Sequence, residues 1–506
     1  MKMFKFLKLT IAAMVLIGFA SCNDDSDGID KGIDTNAPAE TYLSINLLMP
    51  DENSTKRAAG PGTPENSGIE EDGTVEEAEV KSVNLYFFNT NNNNYVTTVS
   101  FDNTELNTPD NNFVTSTKKK VALTKNRTYK VFAVVNGVAG ITPTTVADFQ
   151  EIMPTGSFFT SVPSTGLVMS SRTTTGLNES SPYVELEIAS SNSENQPAIL
   201  KFQVERTVAK LTLTGTTSNE HTVKFGSTDI ATVKLTDYTV VNSMKTWFMF
   251  RHTATAVEVN NIPTPSYKYG DLAPGVAAYV MDPLTHWKNP AAITADPTWP
   301  SRYDNYVTTI NTASFSNPSF SSSMPNASKI VGYCYENTTE RSAQKNGYST
   351  GLIFKAHVTP KDNKVLNDLG TEDIIDPTTV DFYYYDGKFY KDIDALNAVF
   401  APATVDPSLN PADLKKAYGI DLLEKGVCYY KYWIKHYEND NINVMGVMEF
   451  GIVRNNLYKM AVTGISSVGP GIITIDPEDD NETSYTYLNM EMSIRPWITR
   501  PNDIIL

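Results

Sequence analysis

The chain is poor in the residues that most chemistry requires. Histidine occurs five times, at 221, 252, 286, 357 and 436, and no two stand at the spacing of metal ligands. HExxH, CxxC, P-loop, GxSxG and GxGxxG motifs in their proper context are missing. This argues against an enzyme and gives no reason to expect a cofactor or a metal. The acidic run Asp476–Asp480 lacks the glycine and closing glutamate of an EF-hand loop, so it reads as a solvated linker. Tyrosines at 383–385 and 429–430 could stack on sugars; the plainer reading is strand residues packed on one face. Cysteine is equally scarce. Beyond Cys22 only Cys334 and Cys428 remain, enough for one disulfide in an oxidising compartment or for two free buried thiols. Basic residues are outnumbered 41 to 58, a net charge of −17, which argues against a nucleic-acid partner, because phosphate binding needs a basic surface. Heptads, long amphipathic helices and short-period repeats are absent as well.

What the chain has at its start is an address. Lys2, Lys5 and Lys8 precede the apolar stretch Ile11–Ala20, which is too short to span a bilayer and reads as a signal peptide over residues 1–21. Gly18-Phe19-Ala20-Ser21-Cys22 resembles the lipobox of bacterial lipoproteins, which implies cleavage before Cys22 and acylation of its sulfur. An ordinary signal peptide with an incidental Cys22 is the alternative. A lipidated Cys22 would tether the precursor to a membrane surface. The following residues, to Glu40, are polar and acidic and read as a tether.

Beyond this, strand signals dominate. Segments 80–88, 129–135, 183–188, 198–204, 204–214, 429–434, 444–450 and 457–465 alternate or are β-branched and aromatic. Asp386-Gly387 between Phe382 and Tyr390 predicts a tight hairpin. Helical patterns are few and short, at Val146–Met153, Asp392–Phe400 and Pro411–Tyr418. Many short strands separated by turns predict an all-β chain of β-sandwiches.

Two strands stand out because they are alike. Leu43, Ile45, Leu47 and Met49 share one face within the strand 42–50, which stops at Pro50. Leu488, Met490, Met492 and Ile494 share one face near the other end, followed by Arg495, Pro496 and Trp497. After the first copy come Lys56-Arg57 and Ala58, a site for a protease that would release it. Residues 1–57 carry eight acidic and six basic side chains, so a product starting at Ala58 keeps a charge of −15. Ala58–Glu79 reads as an exposed leader, and Gly469-Pro470-Gly471 with Asp476–Asp480 as a flexible linker before the last strand.

The lipobox region, the Tyr42–Pro50 strand, the Arg57-Ala58 site, Val204–Lys210, Ile452–Tyr458 and Met492–Trp497 resemble, in that order, the Bacteroidota major fimbrillins, the short-fimbria shaft subunits. The loops 290–328 and 362–379 match nothing in that pattern. The resemblance implies two tandem transthyretin-like β-sandwich domains and a type V pilus built by donor-strand exchange. Carried onto this sequence, residues 22–57 are a lipidated propeptide at the outer membrane, 58–217 and 218–475 the two domains, and 476–506 a linker with the donor strand. An arginine-specific surface protease would cut between Arg57 and Ala58. Leu488, Met490, Met492, Ile494 and Trp497 would then enter the groove left in an identical subunit, head to tail. Accessory anchor and tip subunits are the further partners implied. A fimbrial anchor or tip adhesin, or a surface glycan-binding lipoprotein, are the alternative functions.

Overall fold

The computed structural model describes residues 38–49, 71–107, 113–137, 141–172, 182–255, 258–259, 262–263, 278–283, 306–307, 319–320, 322–338, 344–400, 404–436, 445, 449–473, 475–482 and 487–498. Cys22, Arg57 and Ala58 lie outside them. The described part is built mainly of strands, with a few short helices.

One nine-stranded sheet runs in the order Tyr95–Asp102, Ser82–Asn89, Arg127–Val135, Met169–Arg172, Ala198–Arg206, Ala39–Leu48, Phe113–Thr115. Lys119–Leu123 also pairs with Ala39–Leu48, and Val184–Ile188 with Arg127–Val135. Both halves of this sheet face one core that includes Leu43, Leu47, Leu85, Phe87, Phe101, Val131 and Phe202. Asn136, at φ 53°, follows Arg127–Val135, and its side-chain amide donates to the Glu79 and Leu167 carbonyls.

The second body is two sheets around one core. The first has the order Glu71–Asp72, Leu488–Ile498, Asn456–Ile465, Val208–Thr214, Ser328–Tyr335. The other runs Glu220–Phe225, Thr228–Val241, Gly351–Pro360, Val427–Trp433. Leu211, Leu235, Phe354, Cys334, Cys428 and Tyr458 meet between them. Both cysteines are free thiols, and burial pushes each well above its ordinary range, Cys428 to about 12. The chain passes from the first sheet to the second at Thr207, between Arg206 and Val208, while Thr216–Asn219 forms a turn within the second body.

Residues 361–426 are inserted between the paired strands Gly351–Pro360 and Val427–Trp433. They form a small sheet of five strands with the helices Ile393–Phe400 and Pro411–Tyr418, over a core of Tyr390, Leu396, Leu414 and Ile420. The local signals are direct. Asn410 caps the second helix by accepting from the Asp413 amide at 2.9 Å, Pro411 opens it, and Gly419 ends it at φ 72°. Asp386 and Gly387, at φ 45° and 75°, make the hairpin turn their sequence predicts. The strand expected at 444–450 is not seen: Glu449 and Phe450 form a bend, Met445 is not in a strand, and the remaining positions lie outside the described residues.

Candidate functional site at the two end strands

Ala39–Leu48 forms because its apolar side chains recur every second residue, so one face can be buried throughout. Leu43, Ile45, Leu47 and Met49 are at most 2% exposed. The strand is interior to its sheet. It runs parallel to Ala198–Arg206, with Leu43 opposite Ala198 and Leu47 opposite Phe202. On its other side it is antiparallel to Phe113–Thr115 and Lys119–Leu123, with Leu47 opposite Val114 and Thr41 opposite Val121. Side chains reinforce the ladder. Ser116 Oγ accepts from the Ile45 amide at 3.0 Å, and Asn192 exchanges two bonds with the Tyr42 main chain at 2.8 and 3.0 Å. Removing this strand would expose unpaired edges on both sides and an apolar groove between them.

The terminal strand Leu488–Ile498 sits differently. It is antiparallel to Asn456–Ile465, with Met460 opposite Met492 and Tyr458 opposite Ile494. Among the described residues its other side pairs only with Glu71–Asp72, in parallel with Trp497 and Ile498. Leu488 is buried, whereas Met490, Met492 and Ile494 are half-buried against the border of the second core. Tyr432 OH donates to Met492 Sδ at 3.7 Å. Among the described residues the two strands thus share a pattern but hold unequal positions, one locked along both sides, the other held along one side and by two residues on the other.

The segment leading to the terminal strand corrects the expectation of a flexible linker. Residues 476–482 are docked against 344–349 and Lys435. The main-chain amides of Asn346 and Gly347 donate to the carbonyls of Asp479 and Pro477, each at 2.9 Å. Tyr348 OH donates to Glu478 Oε1 at 2.8 Å, Ser349 Oγ to Asn481 Oδ1 at 2.6 Å, and Lys435 pairs with Glu482 at 2.5 Å. The glycine at 471 serves close approach rather than freedom, since a Cβ there would sit 1.8 Å from the Leu422 carbonyl oxygen. The leader is exposed along most of its described part, at Thr74, Val75, Glu76 and Glu79, but buries Glu77. Its described part, Glu71–Glu79, carries the pairing to the terminal strand and a helical turn, Val75–Ala78, whose Thr74 and Glu77 form a capping box.

That Glu77 is fully buried at the junction of the two bodies. It pairs with Lys210 at 2.8 Å and accepts from Tyr333 OH at 2.5 Å, while its carbonyl accepts from Arg206 Nε at 3.2 Å. Burial lowers the Arg206 guanidinium to about 10 despite the nearby carboxylate. Beside it, Glu205 pairs with Arg172, Arg251 and Arg454, and Arg454 also pairs with Glu336 at 2.7 Å. Asn455 Oδ1 accepts from the Arg206 amide at 3.4 Å. The charges interleaved in 204–210 and the Arg454-Asn455 pair are therefore one buried ionic joint. Nothing in the local pattern pairs Glu77 with Lys210; only the Thr74-x-x-Glu77 spacing signals the cap. Glu77→Ala removes the carboxylate that pairs with Lys210 and accepts from Tyr333, together with the acceptor for the Thr74 amide in the capping box, so urea unfolding of the precursor should show a loss of about 3–5 kcal/mol.

Among the described residues no group of three or more His, Cys, Asp or Glu could hold a metal ion. No helix of that set is long and apolar enough to cross a membrane.

Two family models match the chain: the major fimbrial subunit protein (FimA) over residues 41–202, and the C-terminal fimbrillin region of the type IV major fimbrial subunit over residues 422–503. Over these two regions the chain matches the major fimbrial subunit family. The first match starts inside the first strand and ends within its parallel neighbour, and the second contains the terminal strand. The inserted sheet and helices fall almost wholly between the two matches. These matches support a structural subunit of a cell-surface fimbria. Among solved structures it is similar to a fimbrilin (fimA) from Porphyromonas gingivalis, at 13% identity over 91% of this chain and 99% of the other, with a TM-score of 0.40. It is also similar to the tip fimbrial protein Mfa3 of the same organism, at 10% identity over 91% and 100%, with a TM-score of 0.37. No curated protein matches it.

Proposed function

We propose that this fimbrillin is a shaft subunit that polymerises by protease-triggered donor-strand exchange. Export as a lipoprotein on Cys22 brings the precursor to the outer membrane, and cleavage between Arg57 and Ala58 frees Ala39–Leu48 from its covalent tie. The terminal strand of a second copy then takes the vacated place. The observation that carries the reading is the inequality of the two strands. Leaving the border of the second body costs the ladder with Asn456–Ile465, the two-residue pairing with Glu71–Asp72 and side chains of which all but Leu488 are half-buried; entering the groove gains longer ladders on both sides and full burial. A strand added in this way takes affinity from the main chain and specificity from alternate side chains. The contact is head to tail, so it propagates instead of closing. Arginine-specific cleavage is the trigger, and anchor and tip subunits complete the fimbria.

The docking of residues 476–482 supports a pivot of the exchange after Glu482. Two engineered disulfides test this. Lys345→Cys with Asp480→Cys closes a bridging pair within the docked segment, and Ile465→Cys with Leu488→Cys ties the terminal strand to its own sheet. Cleaved, oxidised subunits carrying the first pair should form filaments at the wild-type rate. Those carrying the second should stay monomeric until reduced. Monomers from both would move the pivot upstream, and filaments from both would refute exchange of this strand.

A further inference from the structure

We infer that Lys201 and Glu491 form an ion pair between subunits that sets the register of the inserted strand; this rests on the exchange proposed above. The geometry comes from symmetry. In the first strand the residue midway along the apolar set is Asn46, between Ile45 and Leu47. In the terminal strand the midway residue is Glu491, between Met490 and Met492. Laying Leu488, Met490, Met492 and Ile494 onto the places of Leu43, Ile45, Leu47 and Met49 puts Glu491 at the place of Asn46 whether the strand enters parallel or antiparallel.

That place has a cation beside it. Asn46 stands opposite Lys201 on Ala198–Arg206 and opposite Thr115 on Phe113–Thr115. Lys201 is exposed and, among the described residues, has no ion-pair partner. The Asn46 Oδ1 is buried without a hydrogen-bond partner among the described residues, so the precursor holds a polar oxygen there that the lysine does not engage. Glu491 is likewise exposed in the unexchanged chain, where it faces Ala461. Each charge is unused before exchange and becomes a cross-strand neighbour of the other after it. A slip of two residues, which would keep the apolar face inward, sets Glu491 against Ile199 or Gln203 instead. The apolar side chains hold the strand in; the charge chooses which of the equivalent seatings it takes.

The occupant is therefore a second copy of this chain, and the test uses full-length precursors cleaved by an arginine-specific protease. Lys201→Glu and Glu491→Lys each place like charges at every joint between identical subunits. Opposite-charge cross-strand pairs change an equilibrium by about two- to fivefold, so each single variant should assemble roughly fivefold more slowly. The double variant should recover the wild-type rate. An equal mixture of the two single variants should also recover it, by alternating, because each joint then carries opposite charges. High salt should shrink all these differences. Both positions are exposed, so the melting temperatures of the precursors should not change. Wild-type assembly by each single variant, or failure of both the double variant and the mixture to recover, overturns the pair. Met492→Asp run alongside separates the readings: if it stops assembly while the charge variants do nothing, the register assignment alone is wrong.

Discussion

Arg57→Ala should leave the chain monomeric, with filaments reduced by at least about a hundredfold. The first strand places four apolar side chains in the core of its sheet, all at most 2% exposed. Burial of such side chains contributes about 1.5–3 kcal/mol each, an upper figure because an unfolded chain already hides part of that surface. While the strand remains covalently attached, its effective concentration at the groove is on the order of millimolar, and no second chain at ordinary concentration displaces it. Cutting at Arg57 removes that advantage without disturbing the groove itself. Electron microscopy and size-exclusion chromatography of the variant measure the outcome. N-terminal sequencing of assembled wild-type subunits should begin at Ala58; a lipidated Cys22 on most of them would contradict the trigger.

Met492→Asp should abolish polymerisation while sparing the precursor. In the unexchanged chain Met492 is half-buried beside Tyr432 at the edge of the second core, where a carboxylate can reach solvent. In the groove it would occupy the place of Ile45 or Leu47, which are 2% and 0% exposed. Placing a carboxylate there costs several kcal/mol, so each joint should weaken by about a hundredfold or more. The same substitution thus separates folding from assembly, and the two are read independently, by thermal melting of the precursor and by filament yield after cleavage.

Much of the fold is legible in the residues where the determinant is local. Period-two alternation marks Leu43–Met49 and Leu488–Ile494 without reference to any partner, Asp386-Gly387 specifies its hairpin, and Asn410-Pro411 with Gly419 brackets a helix. The rest depends on contacts between distant parts of the chain. Gly469-Pro470-Gly471 has the composition of a linker, yet the Leu422 carbonyl leaves no room for a side chain at 471, and residues 344–349 grip the acidic turn that follows. The interleaved charges of 204–210 look like a half-solvated strand until Glu77, Arg454 and Glu336 are brought against them. The inequality between the end strands was hidden for the same reason. An alternating pattern says that one face is buried, and says nothing about how many neighbours the strand has or how deep that face lies.

After exchange, the terminal strand of one subunit should lie in the first sheet of the next. A photo-crosslinking amino acid at position 492, activated in assembled filaments and mapped by mass spectrometry, reads this directly. Adducts are expected between subunits to residues 198–206 or 113–123, the strands that flank Ala39–Leu48 in the precursor. Adducts confined to residues 456–465 of the same chain, the present neighbour of the terminal strand, would contradict it.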